Sequence, residues 1–124
     1  LFIIKIRGKK MNEMVFSEAS FGKCPYFTSQ KIFSGKWSIL IVHLLCDGPK
    51  RFGQLHRSLE TITQTTLTKQ LRDLEDYGII SRRVYSEIPP KTEYSLTQMG
   101  EEFRPILDQI ELWGNKYIAN MRKE

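Results

Sequence analysis

Apolar residues recur with the spacing of a helix in several stretches of the chain. In the most regular stretch, Leu67, Leu71 and Leu74 lie at i, i+4 and i+7. Because a helix turns by about 100° per residue, this spacing places all three leucines on one face. Thr63 can cap the start of such a helix, and Gly78 can end it. The pattern therefore predicts a helix between Thr63 and Gly78 that buries one apolar face.

The face opposite these leucines is polar and cationic. Gln64 stands at the start of the helix, where its amide can reach a ligand on the same side. The other residues of the polar face are Thr65, Thr68, Lys69 and Arg72. If the leucines face the core, the opposite face of the helix points away from the core and is not covered by it. We therefore expect these side chains to be exposed.

A β-hairpin is predicted after this helix. Residues 80–87 (ISRRVYSE) and 92–96 (TEYSL) are rich in β-branched and aromatic side chains, which favour strands. Residues 88–91 (IPPK) join the two strands, and the two prolines end strand pairing and stiffen the tip. Strand alternation places Arg82 and Arg83 on opposite sides of the hairpin, so only one of them faces a given ligand.

Three helices are predicted before residue 63. The first is short and covers residues 28–33. The second covers residues 36–47 (KWSILIVHLLCD), is apolar on nearly every side and so lies inside a core, and ends at the Gly-Pro pair at 48–49. The third covers residues 51–60 (RFGQLHRSLE). Only a few residues separate it from the helix capped by Thr63, so these two form a helix-turn-helix.

The last part of the chain predicts one long helix, capped by Thr97 and continuing to residue 121 with a bend near Pro105. Its apolar stripe consists of Phe103, Ile106, Leu107, Ile110, Trp113, Tyr117 and Met121. A small three-helix core cannot cover so much apolar surface. The helix either folds back over the N-terminal helix or pairs with a second copy. We expect a homodimer whose interface is formed by Ile106, Ile110, Trp113 and Tyr117.

These elements indicate a fold that is mainly α with a small β-hairpin wing, in the α+β class. The arrangement is a winged helix-turn-helix, in which an exposed cationic helix face lies beside a basic strand pair, with an added C-terminal dimerisation helix. Residues 98–121 are assigned to the dimerisation helix. Residues 1–23 form an N-terminal arm, whose first ten residues are either part of that arm or non-native sequence.

With 124 residues, the chain suits one globular domain. Its formal net charge is +5, but four of the positive charges lie within the first ten residues, which hold no acid. Without that segment 15 basic residues stand against 14 acidic ones, so the total charge says little about a partner. Residues 50–72 are more informative, because they contain five bases and Glu60 is their one acid. Such clustering favours phosphate binding.

The two cysteines, Cys24 and Cys46, are 22 positions apart, with no CxxC pair and no paired histidines nearby. Neither a zinc site nor a disulfide framework is indicated, and we expect no metal and no cofactor. Free thiols suit a reduced cytoplasm. No apolar run approaches the roughly 18 to 20 residues needed to span a bilayer, so no membrane segment is expected.

Catalytic chemistry is not indicated. His43 and His56 are isolated, and the sequence offers neither a nucleophile with a base nor a glycine-rich phosphate loop. Asp73, Glu75 and Asp76 lie close together on one helix. Contact with solvent explains them more simply than an acid–base site does. The chain is therefore not expected to be an enzyme.

Six short motifs occur in order between positions 24 and 114. They are the Cys-Pro pair at 24–25, SGKW at 34–37, DGPKRF at 47–52, ITQTTLTKQLRDLE at 62–75, YSEIPPKTEYSLT at 85–97 and LWG at 112–114. In this set the chain resembles the HxlR-type winged-helix transcriptional regulators, which are relatives of the MarR group. Two positions depart from the family pattern. Ser34 stands where the family has glycine, and Lys91 stands in place of arginine, whose bidentate fork lysine lacks.

The resemblance implies that residues 24–114 form a winged-helix DNA-binding domain. It also implies a dimeric bacterial or archaeal regulator that binds double-stranded operator DNA, and we expect a repressor. The second helix of the helix-turn-helix would read bases in the major groove. The residues expected to bind DNA are Gln64, Thr65, Thr68, Lys69, Arg72, Arg82, Arg83 and Lys91. The alternative is a winged-helix protein-interaction module that binds no DNA. Neutralisation or covering of the Lys69 and Arg72 face would favour that alternative.

Some members of the resembled family sense oxidants or electrophiles with the cysteine of the Cys-Pro pair. This makes Cys24 a candidate redox-sensing residue. The alternative is that Cys24 packs in a core, where a free cysteine behaves as a small apolar residue. Cys46, at the end of an apolar helix, is expected to be inert.

Overall fold

The structure, a computed structural model, describes residues 15–123. The chain forms a first unit that ends at Lys36 and a second unit that begins at Trp37. The interpretation of residues 1–10 as an arm or as non-native sequence falls outside the described residues. Within residues 15–123, no helix has both the length and the apolar character needed to cross a membrane.

The first unit contains a 3-10 turn (Glu18–Ser20) and helix α1 (Pro25–Ile32). Helix α1 begins three residues before the predicted helix at 28–33. The earlier start follows from Pro25, because proline has a helical φ and no N–H and so fits the first helical position. Cys24 is the N-cap residue, and its carbonyl accepts the Thr28 N–H at 2.9 Å.

The second unit begins with helix α2 (Ser38–Leu45), which is shorter at both ends than the predicted helix at 36–47. Its inward side chains, which include Ile41 and Val42, are fully buried. The chain turns away at Gly48, whose φ of +123° suits glycine alone. Helix α3 (Phe52–Ser58) begins four residues later.

Helix α4 (Gln64–Asp76) begins and ends as predicted. Thr63 Oγ1 accepts the Thr66 N–H at 3.1 Å and so caps the start of the helix. Gly78 follows the helix with a φ of +78°, a conformation that favours glycine. The buried residues of α4 are Leu67, Leu71 and Leu74. Truncation of a leucine in such a core generally costs about 2–5 kcal/mol, so this stripe fixes α4 firmly.

Three antiparallel strands form the sheet, in the order β1 (Lys50–Arg51), β3 (Lys91–Leu96) and β2 (Ile80–Tyr85). Strand β1 is not predicted from the sequence, because two residues are too few to show alternation. The hairpin of β2 and β3, here called the wing, has its tip at residues 86–90. The assignment of Lys91 to the tip is therefore wrong. Lys91 is the first residue after two prolines with an N–H to donate, and it pairs with Tyr85.

Alternation along the strands gives the wing two faces. On the inner face, Ile80 and Tyr94 are buried, and Arg82 lies opposite Tyr94 in the register. On the outer face, Arg83 lies opposite Glu93. The predicted placement of Arg82 and Arg83 on opposite sides of the hairpin is confirmed.

Two helices, α5 (Gln98–Glu101) and α6 (Arg104–Met121), follow the wing, and the prediction of a single bent helix is wrong. Thr97 caps α5 as predicted, since its Oγ1 accepts the Gly100 N–H at 3.1 Å. Pro105 lies in the first turn of α6, where a missing N–H breaks no helical hydrogen bond. The proline therefore starts a new helix instead of bending an existing one.

Gly100 lies where α5 passes close to the backbone that precedes β2. A Cβ atom at this position would overlap the Ile79 carbonyl oxygen and press against the Leu96 side chain. A backbone hydrogen bond fixes this close contact, because the Thr97 N–H donates to the same Ile79 carbonyl at 3.0 Å. Only glycine fits here without movement of the main chain.

We expect Gly100→Ala to destabilise the protein by about 1–3 kcal/mol, because the added methyl group meets backbone that cannot yield as a side chain does. Thermal unfolding followed by circular dichroism measures the effect. Gly114→Ala is the matched control, since no atom lies within 4 Å of its added Cβ and alanine favours a helix. Equal unfolding midpoints for the two variants would contradict the close approach at Gly100.

Candidate nucleic-acid interface

The polar face of α4 is exposed on the side away from the buried leucines, as predicted. A shallow depression on this face is lined by Gln64, Thr65, Thr68, Lys69, Arg72 and Asp73. The fold thus brings together the five α4 residues that the sequence analysis assigns to DNA. A helix about 10–12 Å across with its side chains matches the roughly 12 Å width of the DNA major groove.

Gln70 holds α4 in place beside α2. Its Oε1 accepts the Trp37 N–H at 2.9 Å, at the start of α2. At the other end of α4, the Ile79 N–H donates to the Leu74 carbonyl at 2.9 Å and leads the chain into β2. These two hydrogen bonds set the position of the exposed α4 face relative to α2 and the wing.

Two of the bases near α4 have carboxylate partners. Lys69 Nζ lies 2.9 Å from Asp73 Oδ2, one turn along the helix. Arg82 Nε lies 3.8 Å from Glu75 Oε1. Arg72, in contrast, has no ion pair within residues 15–123. The α4 face therefore carries one base that is partly neutralised and one that is not.

Tyr85 organises the outer face of the wing. Its hydroxyl donates to Glu93 Oε1 at 2.9 Å, and this hydrogen bond raises the pKa of the phenol, with a smaller contribution from desolvation. The Arg83 guanidinium and the Lys91 ammonium lie 4.8 and 4.5 Å from the centroid of the Tyr85 ring, within cation–π range. Lys91 Nζ is also 3.8 Å from Glu93 Oε2. Arg83 and Lys91 are therefore both held by neighbouring side chains.

Arg51 is a further base of the outer face that the sequence analysis does not assign to the site. It lies in β1 opposite Glu93, which in turn lies opposite Arg83 of β2. The three side chains form one row across the sheet, and Arg51 is exposed. The sequence marks Arg51 only as part of a basic stretch, because the pairing of β1 with β3 joins residues about 40 positions apart.

Helix α6 has no buried residue. The four predicted interface residues are all exposed, from 39% for Ile110 to 66% for Trp113. The Trp113 and Tyr117 rings are in contact, with centroids 5.4 Å apart. A groove between α2 and α6 is lined mainly by Ile39, Leu40, His43, Leu107 and Ile110. Exposed apolar surface of this extent is typical of an interaction site.

The two cysteines are free thiols in different surroundings. Cys24 is only 2% exposed. Cys46 follows α2, where its Sγ donates to the Val42 carbonyl at 3.4 Å and burial raises the pKa of the thiol, partly offset by Arg104. Because the thiolate is the reactive form, a raised pKa agrees with the prediction that Cys46 is inert.

Comparisons with known proteins place the chain in a family of regulators. A family model described as HxlR-like helix-turn-helix matches residues 32–122. The HTH-type transcriptional regulator YdeP of Bacillus subtilis is 41% identical over 118 residues, which are 95% of this chain and 91% of YdeP. An HTH-type regulator of Methanothermobacter thermautotrophicus is 47% identical over 83 residues, which are 67% of this chain and 63% of that protein.

Solved structures agree with the sequence comparisons. The redox regulator HypR in its reduced form aligns with a TM-score of 0.75 at 39% identity, over 81% of this chain and 99% of HypR. Reduced YodB of Bacillus subtilis aligns with a TM-score of 0.68 at 32% identity, over 76% of this chain and 93% of YodB. The predicted family and winged-helix fold are confirmed. The protein belongs to the HxlR-like helix-turn-helix family of transcriptional regulators.

Proposed function

We propose that this regulator is a homodimer that binds operator DNA in a sequence-specific manner and represses transcription in the cytoplasm. The observation that carries the proposal is the exposed α4 face. Lys69 and Arg72 stand there beside Gln64, Thr65 and Thr68, directly opposite the buried leucine stripe. A helix with this face outward and the wing beside it has the layout of a major-groove reader.

The residue types on the α4 face match the groups that DNA presents. Lysine and arginine donate to guanine O6 and N7, glutamine pairs with adenine N6 and N7, and threonine offers a hydroxyl and a methyl group. The wing bases, Arg82, Arg83 and Lys91, supply positive charge for phosphates on the flanking backbone. Because Arg82 lies on the inner face beside α4 and Arg83 on the outer face with Lys91, only one of the two arginines faces a given phosphate. In this arrangement α4 determines the sequence that is bound, and the wing adds affinity for any duplex.

The alternative function, a protein-interaction module that binds no DNA, would be favoured by a neutralised or covered α4 face. Asp73 partly neutralises Lys69. Arg72 remains exposed and without an ion pair in the part of the chain that the structure describes. The state of Arg72 therefore favours DNA as the ligand.

Lys69→Ala and Arg72→Ala are each expected to weaken binding to the selected operator by about 1–3 kcal/mol, if the lost contact is to a base edge. The operator is first obtained by selecting duplexes from a random-sequence pool with the wild-type protein. Fluorescence anisotropy titrations at several salt concentrations then give the affinities.

Lys116→Ala is the matched control for these variants. Lys116 is an exposed base of α6, so its removal changes the net charge equally but leaves the α4 face intact. Unchanged operator affinity in the Lys69 and Arg72 double variant would contradict the assignment of this face. Equal weakening by Lys116→Ala would show that only the total charge matters.

The proposed dimer rests on the exposed apolar stripe of α6. Ile106, Ile110, Trp113 and Tyr117 lie at helical spacing on one side of an 18-residue helix. Packing against the same stripe of a second copy would bury these side chains, and apolar burial contributes roughly 25 cal/mol per Å². A two-fold dimer would also present two α4 helices to half-sites one helical turn, about 34 Å, apart.

Ile110→Asp is expected to abolish the dimer, because it places an unpaired charge inside the apolar interface. Light scattering after size exclusion should give twice the 14.6 kDa chain mass for the wild type. The variant should give the mass of a single chain or form aggregates. Asn115→Asp is the control, since it adds the same charge on the opposite side of α6. A wild-type monomer at tens of micromolar would rule out this interface.

Regulation through Cys24 is part of the proposal. Two structural relatives support it: HypR is a redox regulator, and YodB has been solved in diamide-treated and quinone-bound forms. Cys24 precedes α1 directly and is buried in the described structure. Reaction with an oxidant therefore requires local opening around α1, and the modified thiol would not fit its former place. In this way oxidation would rearrange the segment around α1.

Diamide treatment is expected to change both operator affinity and non-reducing gel mobility of the wild type, and to change neither in Cys24→Ser. Cys46→Ser is the matched control. If Cys24 forms a disulfide with Cys24 of a second copy, Cys46→Ser shows the same mobility change as the wild type. If Cys46→Ser loses the mobility change, Cys46 is the disulfide partner. If diamide alters affinity equally in the wild type and in Cys24→Ser, Cys24 is a packing residue and not a sensor.

A further inference from the structure

Three of the bases assigned to DNA are paired with carboxylates of the same chain. The pairs are Lys69 with Asp73 at 2.9 Å, Arg82 with Glu75 at 3.8 Å, and Lys91 with Glu93 at 3.8 Å. We call Asp73, Glu75 and Glu93 the carboxylate set. Its members come from α4 and β3, so the pairing recurs on both elements of the proposed DNA surface.

The α4 pairs are exposed and contribute little to the stability of the fold. The side chains of Lys69 and Asp73 are 74% and 46% exposed, and those of Arg82 and Glu75 are 50% and 36% exposed. Ion pairs in such surroundings are screened by water and lose side-chain entropy when they form. Removing one of these carboxylates therefore leaves the fold intact and changes mainly the charge of the surface.

Glu93 is the member with the most cationic surroundings. It lies between Arg51 and Arg83 in the register, pairs with Lys91, and accepts a hydrogen bond from Tyr85. A single carboxylate is thus placed among three bases on the outer face of the wing. Its charge offsets the attraction that these bases would otherwise exert on a DNA phosphate.

We infer that the carboxylate set limits the affinity of the protein for DNA of any sequence, because a phosphate that approaches Lys69, Arg82 or Lys91 must displace or share a carboxylate partner. The inference rests on the proposed DNA-binding function and identifies residues that tune it. With the set in place, the five assigned bases (Lys69, Arg72, Arg82, Arg83 and Lys91) and three acids leave a local charge of +2. Asp73, Glu75 and Glu93 are tuning residues that need not touch the bases of DNA.

Limiting sequence-independent affinity has a functional consequence. Non-specific binding consists almost entirely of phosphate attraction, and a genome offers a very large excess of non-specific sites. A surface with all its bases unpaired would remain bound at those sites. The carboxylate set keeps the protein free to reach the sequence that α4 reads.

The test uses the 124-residue chain and a random-sequence duplex of about 30 base pairs, with anisotropy titrations between roughly 50 and 200 mM salt. Asp73→Asn and Glu93→Gln are each expected to tighten binding about 3- to 10-fold at the lowest salt. The slope of log affinity against log salt concentration should steepen by up to about one per variant, as each freed base engages a phosphate.

Two control variants separate local charge from other effects. Glu102→Gln adds the same unit of net charge at the exposed junction of α5 and α6, and binding is expected to stay within about twofold of the wild type. Tyr85→Phe removes the hydrogen bond to Glu93 without changing any charge, and should not tighten binding.

The outcomes distinguish this inference from the proposed function. If the wild type binds no duplex at 50 mM salt, DNA binding itself is refuted and the inference with it. If the wild type binds but neither Asp73→Asn nor Glu93→Gln tightens binding, or Glu102→Gln tightens it equally, only the inference is overturned. If Glu93→Gln lowers the thermal unfolding midpoint, Asp73→Asn decides the question, because its site on α4 is open to solvent.

Discussion

The burial of three leucines on α4 is the interaction on which the proposed DNA surface depends. Leu67, Leu71 and Leu74 lie on one face, so their burial leaves a single rotational setting for the helix. A slip of one residue would rotate α4 by about 100° and carry Lys69 and Arg72 away from the exposed side. The exposure of the polar α4 side chains is therefore a result of apolar packing.

The register of β3 has a similar role in the wing. Because β3 lies between β1 and β2, it brings Arg51 and Arg83 to either side of Glu93. A shift of one residue would move Glu93 to the inner face and place Tyr94, which is buried, in solvent. The burial of Tyr94 thus decides which charges meet on the outer face. In both parts of the surface, buried apolar residues determine where the charged residues stand.

Local patterns in the sequence predicted elements whose limits depend on residues close together in the chain. The leucine spacing, the Thr63 cap and Gly78 defined α4, and they did so correctly. Strand β1 and the position of Arg51 could not be predicted, because pairing with β3 depends on contacts distant in sequence. The pairing of Glu75 with Arg82 was missed for the same reason, because the two residues come together only when β2 lies beside α4. Lys69 and Asp73, four residues apart on one helix, could have been paired from sequence alone.

The exposed stripe of α6 links the two proposed properties, dimerisation and DNA reading. A second copy that covers Ile110 and Trp113 also fixes the separation of the two α4 helices, because each α6 is joined to its own winged-helix core. The Arg104 guanidinium strengthens that joint by donating to the Cys46 carbonyl at 2.7 Å, which fastens the start of α6 to the end of α2. Since DNA half-sites have a fixed spacing, a change at the proposed dimer contacts would alter the fit of both α4 helices at once.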